Sequence, residues 1–198
     1  MTGLLVLASG IITLAAGAVY MIHARREHGP KVASFIAWTA LTAVGAVSSL
    51  AAGQIPAAVY LLADAAMSAA TIALIVRRGD WAPDPLDWVC LAGAAAGLAL
   101  LVLARSPALA TAATVIADLF AVVPVTVHAW RRPREEPWAA FAGWAAGAAL
   151  ALIAALAAGQ YGITAIAYPA YLLLATGAVA VILLARRARR SDPALSAP

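Results

Sequence analysis

Apolar stretches of bilayer-crossing length follow one another along almost the whole chain. A transmembrane helix needs about 20 mainly apolar residues, and charged residues, prolines and Gly-Gln pairs divide this sequence into stretches of that size. The composition, 65% hydrophobic and 11% charged residues, also differs from that of a soluble domain. We therefore predict an all-α integral membrane protein with seven transmembrane helices, at 3–23, 33–52, 56–76, 87–104, 108–130, 138–158 and 162–185.

An internal repeat relates the two ends of the chain. A shift of 106 positions superimposes the following residues: Arg25 and Arg26 on Arg131 and Arg132, Phe35 on Phe141, Trp38 on Trp144, and Gly53 and Gln54 on Gly159 and Gln160. Such repeats are typical of transporter folds. The two copies are offset by four crossings, an even number, and are therefore parallel. We predict a 3+1+3 arrangement: a first triple-helix repeat at 1–82, a linker helix at 83–106, a second triple-helix repeat at 107–187 and a basic tail at 188–198.

The positive charges predict the orientation in the membrane. Of the thirteen Lys and Arg residues, all except Arg105 fall in loops or the tail on one side of the predicted bundle. Because Lys and Arg in short loops favour the cytoplasmic side, the N-terminus should lie outside and the C-terminus in the cytoplasm. Tryptophans cluster at the same boundary, as expected for headgroup anchors: Trp81, Trp88, Trp130 and Trp138. The basic balance therefore needs no nucleic-acid partner, and the Ala- and Arg-rich composition favours a bacterial inner membrane.

Two carboxylates in the middle of predicted spans are the main candidates for function. Asp64 and Asp118 each precede an arginine, Arg77 or Arg131, by 13 positions, so the rise of ~1.5 Å per helical residue places them at similar depth. Polar residues share their helix faces: Tyr60, Ser68 and Thr71 with Asp64, and Thr111 and Thr114 with Asp118. No Lys or Arg lies deep in any span, which favours a site for a proton or a cationic solute. The alternative is that each Asp is protonated and only holds helices together.

Further candidates flank these acids. Pro124 and Pro169 interrupt predicted helices and are interpreted either as hinges or gates or as tolerated kinks. Tyr168 and Tyr171 flank Pro169 as candidate binding residues. The remaining candidates are Trp38 and Trp144, as pocket walls or packing residues, and Gly143 and Gly147, whose spacing favours packing within the chain over a homo-oligomer contact.

Several classes of site find no support in the sequence. His23, His28 and His128 lack metal-ligand spacing and are interpreted as interfacial, and no phosphate-binding loop or Ser-His-Asp set occurs. Lys31 lies in a predicted loop and is the only Lys, which excludes a retinal Schiff base. We therefore expect no metal, no cofactor and no enzyme activity. The acids near the fourth span are interpreted as a solvated turn: Asp80, Asp84 and Asp87.

Several motifs resemble the SWEET and PQ-loop superfamily. The order in the second half, which is Asp118, Pro124, the charged run 131–136, Trp144 and Gly147, is similar to a PQ-loop unit. Three short motifs resemble bacterial seven-span SWEET-like proteins of no established function: Asp87-x-x-Cys90-Leu91, Pro133-x-x-Glu136 and Tyr168-Pro169-x-Tyr171. Val125 follows Pro124 where the superfamily has Gln, the first span has no proline, and the chain has no Asn to hold sugar hydroxyls. The resemblance thus implies the fold without sugar specificity.

The resemblance implies a small-solute transporter that works by alternating access between the lipid bilayer's two sides. One alternative is a receptor or assembly partner that does not transport, with the 131–136 loop as its contact surface. An intramembrane enzyme that uses Asp64 and Asp118 as an acid/base pair is a further alternative, but no nucleophile or metal set accompanies them.

Overall fold

The apolar stretches form seven α-helices in the computed structural model, which describes residues 2–25, 32–79, 83–103 and 107–191. Alanine is abundant in them and has the highest intrinsic helix propensity. The helices are α1 (Thr2–Ala24), α2 (Val32–Ala51), α3 (Ile55–Arg78), α4 (Pro85–Leu103), α5 (Pro107–Arg131), α6 (Trp138–Ala157) and α7 (Ile163–Ser191). Some residues used in the sequence predictions lie outside the described ranges: Arg26, His28, Lys31, Asp80, Trp81 and Arg105.

Six helices are long and apolar enough to cross a membrane, and α4 is the exception among the described helices because its apolar part, Pro85–Leu100, is shorter. Large apolar side chains also cover the outside of the bundle, including Leu7, Leu103 and Leu174. Exposed apolar surface on this scale marks contact with lipid. The chain is therefore a multi-pass, all-helical membrane protein. Crossing by α4 and the outside-to-inside orientation stay predictions.

The helix ends show that corresponding turns meet. Gly53 and Gly159 have φ angles of 69° and 72°, a left-handed conformation that glycine adopts without strain. The Gln160 side-chain amide lies 3.4 Å from the Gly53 carbonyl, so both turns lie at one end of the bundle. At other helix ends, the Arg78 guanidinium donates to the Ala24 carbonyl.

Helix packing has the same pattern in both halves. Helix α3 packs against both α1 and α2, and α7 packs in the same way against α5 and α6. Contacts of α1 with α6 and of α2 with α5 join the two groups, while α4 packs against α5 and α2. These neighbour relations are compatible with the predicted repeat. The division at 1–82, 83–106 and 107–187 stays a prediction.

Small residues let α1 and α6 approach closely. A side-chain methyl at Gly143 would lie 2.8 Å from the Ala16 Cβ, and one at Gly147 would overlap Thr13 Oγ1. The Ser9 hydroxyl donates across this interface to the Gly147 carbonyl at 2.8 Å. The Gly143 and Gly147 pair therefore serves helix packing within the chain, as expected, and association between chains stays a prediction.

Candidate functional site

Two intramembrane carboxylates come together from different helices. Asp64 on α3 and Asp118 on α5 lie within electrostatic range of one another. Tyr60 on α3 and Tyr168 on α7 lie within range of both carboxylates. We use the name central acidic cluster for six residues: Trp38, Tyr60, Asp64, Asp118, Tyr168 and Tyr171.

Asp118 is the member of this cluster that is least exposed to solvent. Its side chain is buried, and the Tyr171 hydroxyl donates to Asp118 Oδ2 at 2.8 Å. The side chains of Tyr168 and Trp38 face the same carboxylate. Asp118 Oδ1 and the Tyr168 hydroxyl are nevertheless buried without a hydrogen bond of normal geometry in the described part of the chain. Buried polar atoms are almost always bonded, so this place can accept a proton or the donor group of a ligand.

Asp64 is less enclosed than Asp118. It is partly exposed, and no residue in the described ranges donates a hydrogen bond to its carboxylate. The sequence contains no Lys or Arg between positions 32 and 76. An ionised carboxylate in the bilayer is costly, so Asp64 needs a proton or an external cation.

The polar stripes predicted beside the acids are only partly brought to them. Thr71 donates its hydroxyl to the Met67 carbonyl of its own helix at 2.8 Å, rather than to Asp64. Ser68 and Thr114 are buried on α3 and α5, and the side chain of Thr111 lies outside the described set. Tyr60 therefore accompanies the acids, whereas the bonding of Thr71 is satisfied within α3.

The two repeat-related tryptophans differ in their surroundings. Both belong to an aromatic cluster in which Trp38 contacts Phe35 at 5.3 Å between ring centroids, and Trp144 contacts Phe141 at 5.3 Å and Tyr20 at 5.7 Å. Trp38 also faces Asp118. Trp144 Nε1 is buried without a partner in the described structure. The central acidic cluster thus includes Trp38, whereas Trp144 packs between α1 and α6.

Pro124 and Pro169 lie inside α5 and α7, and both helices continue through them. The described backbone has no cis peptide bond and no non-glycine residue with positive φ. The hinge or gate roles of Pro124 and Pro169 stay predictions.

A second polar cluster lies where α5 joins α6, and the sequence did not indicate it. His128, which was interpreted as interfacial, is buried within the protein, with Nε2 3.2 Å from Glu135 Oε2 and 3.9 Å from Glu136 Oε1. Glu136 is 0% exposed, and the Tyr20 hydroxyl faces its carboxyl group. Burial raises the pKa of Glu136 to about 8; the Tyr20 hydroxyl opposes this shift and the Glu135 charge adds to it. The only sequence signal was Pro133-x-x-Glu136, which gives no sign of burial.

The acids before α4 also differ from the prediction. Asp87 was assigned to a solvated turn, but it is buried. The Asp84 amide donates to Asp87 Oδ2 at 2.9 Å, and the Asp87 amide donates to Asp84 Oδ1 at 3.0 Å. This reciprocal arrangement is a capping box that satisfies amides at the start of the helix. Asp84 and Asp87 therefore have a structural role.

The fold and the central acidic cluster define a multi-pass helical membrane protein with two carboxylates in its apolar helices, of which Asp118 is buried. No protein family, curated protein or solved structure matches the chain. No group of His, Cys, Asp or Glu in the described residues is arranged to hold a metal ion. The geometry of the central acidic cluster is therefore the basis on which we infer function.

Proposed function

We propose that this protein is a small-solute transporter with a SWEET-like arrangement, in which Asp64 and Asp118 bind a proton or a cationic solute. The observation that carries the proposal is that these two carboxylates, from α3 and α5 of different predicted repeats, lie within electrostatic range of one another. A charged side chain at mid-bilayer costs at least ~2.5 kcal/mol on insertion scales. Two such groups within electrostatic range of one another favour uptake of positive charge.

The location of the cluster also suggests how transport would proceed. Asp118 receives its hydrogen bond from Tyr171 of the same predicted repeat, whereas Trp38 and Asp64 approach it from the other. Rocking of the repeats along the α1–α6 and α2–α5 contacts would separate Asp118 from Asp64 and Trp38. Because proton affinity depends on neighbouring charges and donors, this separation would change how tightly the site holds a proton or cation. Alternating access at a midplane site follows the same principle.

The first experiment is a thermal-stability screen of the purified protein with sugars, amino acids, polyamines, other organic cations and nucleosides, at several pH values. A ligand that binds the native state raises the melting temperature. We expect a cationic compound to stabilise the wild type but neither Asp64→Asn nor Asp118→Asn. Asp87→Asn is the matched control, because this buried acid caps α4 outside the cluster and its replacement should leave the ligand response intact.

The second experiment measures transport of each stabilising compound into liposomes that contain a pH-sensitive dye. Transport by the wild type and Asp87→Asn, with loss in Asp64→Asn and Asp118→Asn, supports the proposal. Binding without transport would instead indicate a receptor. If no compound stabilises the wild type, and the melting temperatures of Asp64→Asn and Asp118→Asn depend on pH as that of the wild type does, the hypothesis of a central binding site is wrong.

A further inference from the structure

Glu136 is a fully buried carboxyl group in a charged loop. We define the α5–α6 loop as residues 132–137, and within it Glu136 is 0% exposed. Neither carboxyl oxygen has a hydrogen bond of normal geometry from the residues that the structure describes. The Tyr20 hydroxyl that faces the carboxyl group replaces only part of the hydration that burial removes, which favours the neutral acid.

Several polar groups surround Glu136 from three helices and from the loop itself. Tyr20 approaches from α1, and His128 approaches from α5 with Nε2 3.9 Å from Glu136 Oε1. Glu135 is the adjacent acid in the loop and lies 3.2 Å from His128 Nε2 and 3.4 Å from Arg132 Nη1. His128 and Arg132 thus both contact Glu135, and the Arg187 guanidinium of α7 contacts the Glu136 backbone carbonyl.

Arg187 of α7 holds the loop by its backbone. Its Nε donates to the Pro133 carbonyl at 2.8 Å, and its Nη2 donates to the Glu136 carbonyl at 2.7 Å. These bonds do not depend on the protonation of the Glu136 side chain. The contact with α1, in contrast, is made by that side chain itself through Tyr20.

We propose that Glu136 is a second proton-binding site, separate from the central acidic cluster, and that its protonation holds the α5–α6 loop in contact with α1. We call the loop seated when this contact is made and released when it is not. The neutral carboxyl group of Glu136 can stay buried beside Tyr20 and Glu135, because it carries no charge that needs hydration. The ionised form is repelled by Glu135 and poorly solvated, so the loop moves outward when the proton leaves. The loop thereby joins α1 to α5–α7 in a proton-dependent way at the helix ends opposite the Gly53 and Gly159 turns.

The direction of the pH effect follows from proton linkage. Burial raises the pKa of Glu136 from 4.5 to about 8 in the seated loop. The seated loop therefore binds more protons than the released loop between these values, and the ratio of seated to released forms falls as pH rises. The fall is at most about tenfold per pH unit, and the ratio levels off above about pH 8.

Hydrogen–deuterium exchange tests this inference on the full-length protein in lipid nanodiscs. The readout is the peptide that contains residues 131–140, in which the Glu135 amide donates to the Arg132 carbonyl at 3.0 Å. After correction for intrinsic exchange, we expect protection of the wild-type loop to fall steadily from about pH 5 to about pH 8 and then to stay level. Glu136→Gln, which mimics the neutral acid, should keep high protection throughout.

Two neighbouring variants identify the titrating group. Glu135→Gln leaves Glu136 in place and should keep the pH dependence, but protection should level off at a lower pH because the repelling charge is gone. His128→Gln should also keep the fall, whereas loss of the fall in this variant alone would assign the titration to His128 and overturn the inference. Low protection of Glu136→Gln at every pH would overturn it as well. The test requires no transport and is independent of the proposed function.

Discussion

Replacing Gly147 by Ala tests the closest contact between α1 and α6. An added methyl would overlap Thr13 Oγ1 and would lie 3.2 Å from Tyr60 Cε2 and 3.4 Å from the Ser9 carbonyl oxygen. Thr13 is fully buried, and its hydroxyl donates to the Ser9 carbonyl at 2.8 Å. The threonine therefore has no free space into which to rotate, and the helices must separate instead.

The expected cost combines three effects. Overpacking of a well-packed core costs about 1–3 kcal/mol. Separation of the helices also weakens the hydrogen bond from Ser9 to the Gly147 carbonyl, which contributes about 0.5–1.5 kcal/mol. Ala gains up to about 1 kcal/mol over Gly in helix propensity. We therefore expect Gly147→Ala to lower the free energy of unfolding by about 1–3 kcal/mol, within the usual range for overpacking.

Denaturant unfolding in mixed micelles measures this change, with Gly177→Ala as the matched control. A methyl at Gly177 would meet the Ala145 Cβ at an ordinary 3.9 Å, so that variant should be as stable as the wild type or more stable. Thr13→Ala removes the overlapping oxygen and should reduce the cost of Gly147→Ala by at least about 0.5 kcal/mol in a double-mutant cycle. Wild-type stability of Gly147→Ala, or strict additivity with Thr13→Ala, would refute the packing argument.

Two further substitutions test the polar clusters. Tyr171→Phe removes the 2.8 Å hydrogen bond to Asp118 and should lower the free energy of unfolding by about 1–3 kcal/mol. The control Tyr161→Phe should change it by less than about 0.5 kcal/mol, because Tyr161 is 72% exposed. Equal effects of the two substitutions in denaturant unfolding would contradict the role of Tyr171. Arg187→Gln removes the guanidinium bonds to the Pro133 and Glu136 carbonyls and should raise hydrogen exchange in the α5–α6 loop at every pH. The control Arg189→Gln changes an exposed arginine and should leave this exchange as it is in the wild type. Unchanged exchange in the Arg187 variant would show that other contacts hold the loop.

The helices were accessible from the sequence because each is a local pattern. Apolar runs of about 20 residues between charges and turns indicate helices in a bilayer without any knowledge of their neighbours. The predicted segments agree with the seven observed helices in order and nearly in length, although α7 continues through the arginine run to Ser191. The turns were marked in the same way by Gly53 and Gly159.

The central acids were also found from the sequence, because a carboxylate in an apolar span is conspicuous whatever surrounds it. Their shared depth followed from counting residues to Arg77 and Arg131. Which side chains complete the cluster was not accessible in this way. Trp38 and Trp144 are equivalent in the repeat, yet the structure sets only Trp38 towards Asp118, since the asymmetry depends on how α2 packs against α5.

The sequence by itself thus determined the membrane class, the helix order and the two central acids, because hydropathy and charge act at each position along the chain. Only the tertiary structure decided the burial of His128, Glu136 and Asp87. Each of these residues lies beside charged or proline-rich sequence, which favours solvent exposure. The burial of Glu136 depends on contacts with Tyr20 and Arg187, more than 50 positions away along the chain. Contacts over such separations arise when helices pack together, and no local pattern records them.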